Sequence, residues 1–360
     1  MKKHYLAATL LLLSAFTIFL SCGSDDPSEY KEVSPVVMDL TTVPYPKLSD
    51  YKFFVGEIKN LEPAFKVLPY DLNSSLFTDY ALKKRFVWMP EGTKATYASD
   101  GEILNFPVGA ALIKNFYYEN VLPDNVTKII ETRIMIKKTS GWIFANYKWN
   151  DEQTEAFIDM NASSVNISWM QNGEEKAITY KIPSGTDCII CHSSHSVYTP
   201  IGPKPQNLFK DFSYSTGMQN QLEKWKQEGY LDTYSQNTLA TADWQDTNKS
   251  LDVRARSYLD INCAHCHKPG GACDLMPENF SFTETANLTN LGVCVEPHDF
   301  VIGNQQYIIH SQKGRESLMY YKMNTNIPEQ MMPPVGRTIV HTEGLLLIRE
   351  WIDAMENPCP

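Results

Sequence analysis

Apolar and polar residues alternate along much of the first half of the chain. Ile130, Thr132, Ile134 and Ile136 are separated by charged or polar neighbours. Val165, Ile167 and Trp169 repeat the pattern, as do Ile178, Tyr180 and Ile182. A period of two puts every second side chain on one face of a strand, so residues 51–183 are predicted to be mostly strands. Gln171-Asn172-Gly173, between the last two runs, is a tight-turn signal that makes them a hairpin. After Pro183-Ser184-Gly185 the alternation stops. Residues 193–250 are polar and irregular at first, then predict a helix around 219–227. From Leu251 the period becomes helical, with helices expected over 254–262, 316–323 and 342–355. The last carries Leu345, Ile348, Trp351, Ile352 and Met355 on one face. No solenoid repeat is present.

The one long apolar run, Tyr5 to Leu20, follows Lys2 and Lys3 and is shorter than the roughly 20 residues a membrane-spanning helix needs. It reads as an export signal over residues 1–21. Phe19-Leu20-Ser21-Cys22 resembles the lipobox of bacterial lipoproteins, with Phe19 in place of the usual Leu, and implies acylation of Cys22. The alternative is a plain secretory signal with an incidental cysteine. Either way the protein is expected outside the cytoplasm. With the lipid, it is expected to be anchored to the outer membrane, facing the periplasm or the surface. Gly23 to Glu29 is small and acidic and opens a solvated tether over 22–49. It resembles acidic signals that send some bacterial lipoproteins to the cell surface, and fits an ordinary linker equally well.

Composition narrows the class further. Apolar residues make up 43% and charged residues 21% of 360, which is globular and long enough for two domains. The formal charge of -10 becomes more negative once Lys2 and Lys3 are removed, which argues against nucleic acid as a partner.

Four of the eight cysteines fall in two identical frames, Cys188-Ile189-Ile190-Cys191-His192 and Cys263-Ala264-His265-Cys266-His267. With 8 Cys and 8 His in the chain, chance placement gives on the order of 0.004 such frames. The spacing lets two thiols reach the two vinyl groups of one haem while the next residue supplies the imidazole beneath the iron. Zinc binding, a thioredoxin-like disulfide and a structural disulfide compete. Zinc sites of the C-x2-C kind use a distant second pair, redox pairs do not need the following His, and a bridge between cysteines three apart is strained. Two covalent haems are therefore expected. Cys273 and Cys294 are expected as a possible disulfide closing a short loop, with Cys359 able to replace either partner.

The expected architecture is α+β and multidomain. A β-rich antiparallel domain over 50–195 ends in the first frame, residues 196–250 connect, and an all-α domain over 251–357 carries the second. A helix entering the second frame, a Met on a Pro-rich loop and a terminal amphipathic helix resemble a small class I cytochrome c domain. For the second haem His267 is the expected proximal ligand and Met332 the distal one, with Met331 as its alternative, because proline after the sulfur fixes an extended loop. For the first haem His192 is proximal. Met218, His195, His298, His310 and His341 are offered for its far side, which is otherwise open.

Scattered motifs resemble a family of two-haem c-type cytochrome lipoproteins whose role is poorly defined. They are Tyr70 to Ser74, Phe106 to Gly109, Tyr147 to Asn150, Ile201 to Lys204, Arg254 to His267 with Pro269-Gly270-Gly271, and Met332 to Arg337. In order, Phe106 to Ala110, Lys114, Trp142 to Phe144 and the first frame are also similar to mono-haem cytochromes of sheet fold. These include hydroxylamine-oxidising enzymes with a lysine cross-linked to haem, and gas-binding relatives without the link. The second resemblance implies that Lys114 stands where the linking lysine does, making Lys114 a neighbour of the first haem together with Met218; the alternative is a solvent-facing lysine. Val108 departs from the acid those enzymes usually carry. The function expected is electron transfer with redox partner proteins. Oxidation or reduction of hydroxylamine, nitric oxide or peroxide at an open first haem, and gas binding, are the alternatives.

Overall fold

The computed structural model describes residues 32–298 and 305–360. The export signal, Cys22 and the first part of the tether lie outside the described residues. Residues 35–360 form one compact unit, an α+β fold built on a large antiparallel sheet with few helices.

Eight strands make the main sheet: β1 (Leu68–Tyr70), β2 (Leu82–Trp88), β3 (Ala111–Val121), β4 (Val126–Lys138), β5 (Gly141–Trp149), β6 (Ala156–Ile158), β7 (Ser163–Gln171) and β8 (Glu174–Ile182). The first six run as an antiparallel meander in chain order, and the β7–β8 hairpin attaches to the end of β3. The hairpin turn is Asn172-Gly173, both at positive φ, as the right-handed twist of two joined strands demands.

The alternation in β4 gives the face of Thr132, Ile134 and Ile136, but a register shift opposite Phe116 and Tyr117 puts Ile129 in their core and Ile130 in that of β7 and β8, and the polar face is not open to water. Ile134 and Ile136 point into a core closed by residues 43–67, while Glu131 and Thr132 are fully buried and Met135 joins a second core on the opposite face. That second core exists because residues 205–231, expected as a connector, fold onto the sheet. They form α2 (Pro205–Leu208) and α3 (Gln221–Gln227), burying Leu208, Leu222 and Trp225 completely. At the far end of the same face β7 and β8 bury Trp169 and Tyr180 against Phe116 and Tyr118.

Three further helices fall close to the expected spans, α4 (Leu251–Asn262), α5 (Leu318–Met323) and α6 (Thr342–Asp353), whereas α1 (Gly185–His192), directly after β8, falls outside them. Ile348, Trp351 and Ile352 of α6 pack on Ala255 and Leu259 of α4. Among the described residues no helix is long and apolar enough to cross a membrane.

The disulfide expectation needs correction. Cys294 pairs with Cys359, not with Cys273. After α6 the tail turns back along residues 307–311, where Ser311 Oγ donates to the Asn357 carbonyl and the Tyr307 hydroxyl to that of Pro360. Cys294 N–H meanwhile donates to the carbonyl of Ile309 on the same strip. The returning tail sets Cys359 against Cys294, and Cys273 stays a free thiol beside the second frame.

One ion pair joins the sheet side to the helical side. Lys204 Nζ lies 3.0 and 3.2 Å from the two carboxylate oxygens of Asp260, which also accepts from Gln206 Nε2 and the backbone N–H of Phe282. Both side chains are buried. Lys204→Met strands a buried carboxylate and is expected to cost about 3–5 kcal/mol, read as a lower urea midpoint. Replacing Asp260 by Leu in the same chain should recover most of it, and a Lys204→Met variant as stable as wild type would show that the pair does not hold the halves together.

Candidate functional site

Each cysteine frame is positioned by local sequence. Ser184 caps α1: its hydroxyl accepts from Asp187 N–H, and the Asp187 carboxylate accepts from Ser184 N–H. On the helix started this way Cys188, Cys191 and His192 stand at i, i+3 and i+4, so all three project from one face. They line a cavity of about 1310 Å³, its mouth included. A two-stranded turn, β9 (Ser193–Ser194) with β10 (Val197–Tyr198), brings the Thr199 carbonyl back to 2.9 Å from His192 Nδ1. A carbonyl can only accept, so Nδ1 carries the proton and Nε2 is left with its lone pair. Burial pushes the imidazole down to about 3, which keeps it neutral.

The second frame follows α4 without a break: the N–H groups of Cys266 and His267 both donate to the Cys263 carbonyl. Cys263 and His267 line a separate cavity of about 1340 Å³, its mouth included. His267 Nδ1 lies 3.0 Å from a Glu278 oxygen, out of line for a hydrogen bond. Burial disfavours the charged imidazole, but Cys273 and Glu278 outweigh it and push His267 up to about 9. A carboxylate behind Nδ1 also makes a ring more basic toward a metal on its other nitrogen.

The residues fit two c-type haems. All four frame cysteines are unpaired thiols. Cys188, Cys191 and His192 line the first cavity and Cys263 and His267 the second, whereas Cys266 lines neither and lies beside Cys191; each histidine turns Nδ1 toward the protein. The cavities meet at a shared wall of Phe77, Asn262 and Pro333. Ligand atoms of Cys191, His265 and Cys266 also come within 4.8 Å of one another. That is three donors where a structural zinc site takes four.

Met332 lines the His267 cavity, with Met276, Met319 and Met323, whereas Met331 is buried in the core and does not line it. Arg337 holds the Met332 loop. Its guanidinium donates to the carbonyls of Met332, Ile339, Lys322 and Thr325 and to Asn326 Oδ1.

Of the residues offered for the far side of the first haem, none lines the His192 cavity. Met218 is 69% exposed on the hairpin of β11 (Asp211–Tyr214) and β12 (Gly217–Asn220), which corrects its expected place beside the first haem. The connector turned this hairpin outward when it buried Trp225 on the sheet. His195 points at the loop of the second frame, His298 and His341 line the other cavity, and His310 lies beside Tyr307 and Glu316. Lys114 does line the His192 cavity, where it is half-buried. Sequence reasoning passed over Arg85, Arg133 and Asn146, which line it too. The available signal was a charge on the inward parity of three neighbouring strands. His265, inside the second frame, also lines the first cavity with Nδ1 buried and unpartnered.

The loops that follow the two frames also touch, through backbone. His195 N–H donates to the Gly270 carbonyl at 2.8 Å. Gly270 has φ +75°, and a Cβ there would lie 2.4 Å from the His195 ring.

The chain matches no protein-family model, no curated protein and no solved structure. The functional reading therefore rests on the two frames and the cavities they line.

Gly270→Ala is expected to cost about 1–3 kcal/mol through backbone strain and collision with His195. Adding His195→Ala should return the part due to collision. Urea midpoints of the single and double variants measure both terms, and an undiminished Gly270→Ala midpoint would rule out this contact between the loops.

Proposed function

We propose that the protein is a di-haem c-type cytochrome that carries electrons between redox partner proteins outside the cytoplasm. The observation that carries the reading is that the histidine and at least one cysteine of each Cys-x-x-Cys-His frame line a cavity, with the His192 imidazole neutral and left with its Nε2 lone pair. Cys188 and Cys191 would hold one haem through thioethers, with His192 as axial ligand. Cys263 and Cys266 would hold the other, between His267 and Met332. Bound there, haem supplies one-electron iron chemistry; the polypeptide ligates, buries and orients it.

In this reading the Thr199 carbonyl fixes the His192 imidazole, the Glu278 carboxylate stands beside that of His267, and Arg337 steadies the loop that presents Met332. A histidine–methionine pair raises the potential and closes the iron to small ligands, which suits a carrier. The shared wall of Phe77, Asn262 and Pro333 makes the cavities direct neighbours, which supports passage of electrons between them. The finer fold assignment, a sheet-type haem domain followed by a class I cytochrome c domain, belongs to this proposal. So does anchoring to a membrane through lipid on Cys22. The acidic balance of the chain suits partners with basic patches meeting it through small, transient contacts. A second reading, small-molecule oxidation or reduction at the first haem, is favoured by one feature: Arg85, Lys114 and Arg133 stand side by side on the floor of that cavity.

Natively matured protein is expected to hold two haems per chain that resist acidified acetone, and Cys188→Ala/Cys191→Ala to hold one. A colourless protein, or pigment lost to the solvent, overturns the reading. Met332→Ala should keep both haems and render one open to carbon monoxide in the ferrous state; an unchanged spectrum would exclude Met332 as ligand.

A further inference from the structure

A single polar row crosses the sheet beneath the first cavity. Strand register places Tyr70 opposite Arg85, Arg85 opposite Lys114, Lys114 opposite Arg133 and Arg133 opposite Asn146. All five residues, one from each of β1 to β5, line the cavity that holds His192. The adjacent row, Leu68, Val87, Leu112, Met135 and Phe144, is entirely apolar. Like charges directly opposite on neighbouring strands repel, so three cations side by side need compensation.

Two of them have it. Arg85 pairs with Asp71, and Arg133 pairs with Glu131, which is itself fully buried. Lys114, in the middle, has no carboxylate partner among the described residues. Its Nζ lies over the Phe116 ring, 4.7 Å from the centroid. At the end of the row Asn146 is 2% exposed, and both polar atoms of its side chain are buried without a hydrogen-bond partner. A buried amide left unpaired costs about 1–3 kcal/mol, so an acceptor for its N–H groups would be stabilising. Neighbouring strands stand roughly 4.7–4.9 Å apart, a spacing at which cations on adjacent strands can close on two oxygens of one group.

We propose that this row, centred on Lys114 with Arg133 and Asn146, is a binding site for a carboxylate or small oxyanion in the first cavity. An anion there neutralises the uncompensated charge and gives the Asn146 amide its acceptor. It also relieves Lys114, whose ammonium is driven well below the ordinary lysine range by burial and then by Arg85, Lys83 and Arg133. The chemistry has two sources: a free anion of nitrite or formate size, or a propionate of a haem held by the first frame. The second source rests on the proposed function; the first does not.

The test titrates the mature protein with sodium nitrite and with sodium formate in chloride-free buffer, followed by calorimetry and by haem absorbance. Wild type, Lys114→Gln and Asn146→Ala are compared, and covalent haem is counted separately for each. Saturable binding that weakens tenfold or more in either variant, with haem count unchanged, supports a free anion. No binding of added anion, but a lower midpoint potential for one haem in Lys114→Gln, supports a propionate, because removing a cation favours the ferric state. Neither anion binding nor any change in potential overturns the site. A chain without haem overturns the proposed function instead, and calorimetry of that same chain still reads the row. Should Lys114→Gln fail to fold, Asn146→Ala carries the same comparison.

Discussion

The buried pair of Lys204 and Asp260 governs where everything else can be. Lys204 ends the stretch Pro200 to Pro203 that lines the first cavity, and Asp260 comes three residues before the second frame. A buried ion pair contributes little net stability over an apolar replacement, because desolvation offsets attraction. Its value is directional. With Gln206 and the Phe282 amide also bound to the carboxylate, few other dockings of α4 on the connector keep the charge satisfied. The relative placement of the two cysteine frames follows from that restriction.

The two cavities are built from different material. The first has a sheet for its floor, and a strand exposes side chains in straight cross-strand rows, so charged residues on neighbouring strands are brought into line whether or not they attract. The second is walled by α4, the α5 region and irregular loops, with Met276, Met319, Met323 and Met332 around it. Methionine is flexible and polarisable and fills irregular apolar space well. Under the proposed function these surroundings would give the haems unlike environments: one over a row of cations on a sheet, the other among methionines with Glu278, Lys322 and Arg337 at its wall.

The loops after the two frames meet through backbone, beside the side-chain contact of Cys191 with His265 and Cys266. Gly270 and Gly271 bring the loop after the second frame close enough that a Cβ at Gly271 would sit 2.3 Å from the Cys266 carbonyl, as one at Gly270 would meet His195. Side chains at these two positions would push the loops apart. The Pro-Gly-Gly following the second frame, noticed as part of a family resemblance, thus has a local steric reason of its own.

The strands of the sheet, the Asn172-Gly173 hairpin, the principal helices and both cysteine frames were legible from residue order, because period, turn chemistry and ligand spacing are local properties of a chain. The pairing of Cys294 with Cys359 was not, since it depends on a tail returning past residues 307–311. Nor was the burial of the polar face of β4, where residues 205–231 cover a surface that alternation alone assigns to water. The row of Arg85, Lys114, Arg133 and Asn146 joins residues up to 61 positions apart whose neighbourhood is set by strand register. Local sequence determines which face a side chain takes; only tertiary packing decides what that face meets, because the partner comes from a distant part of the chain.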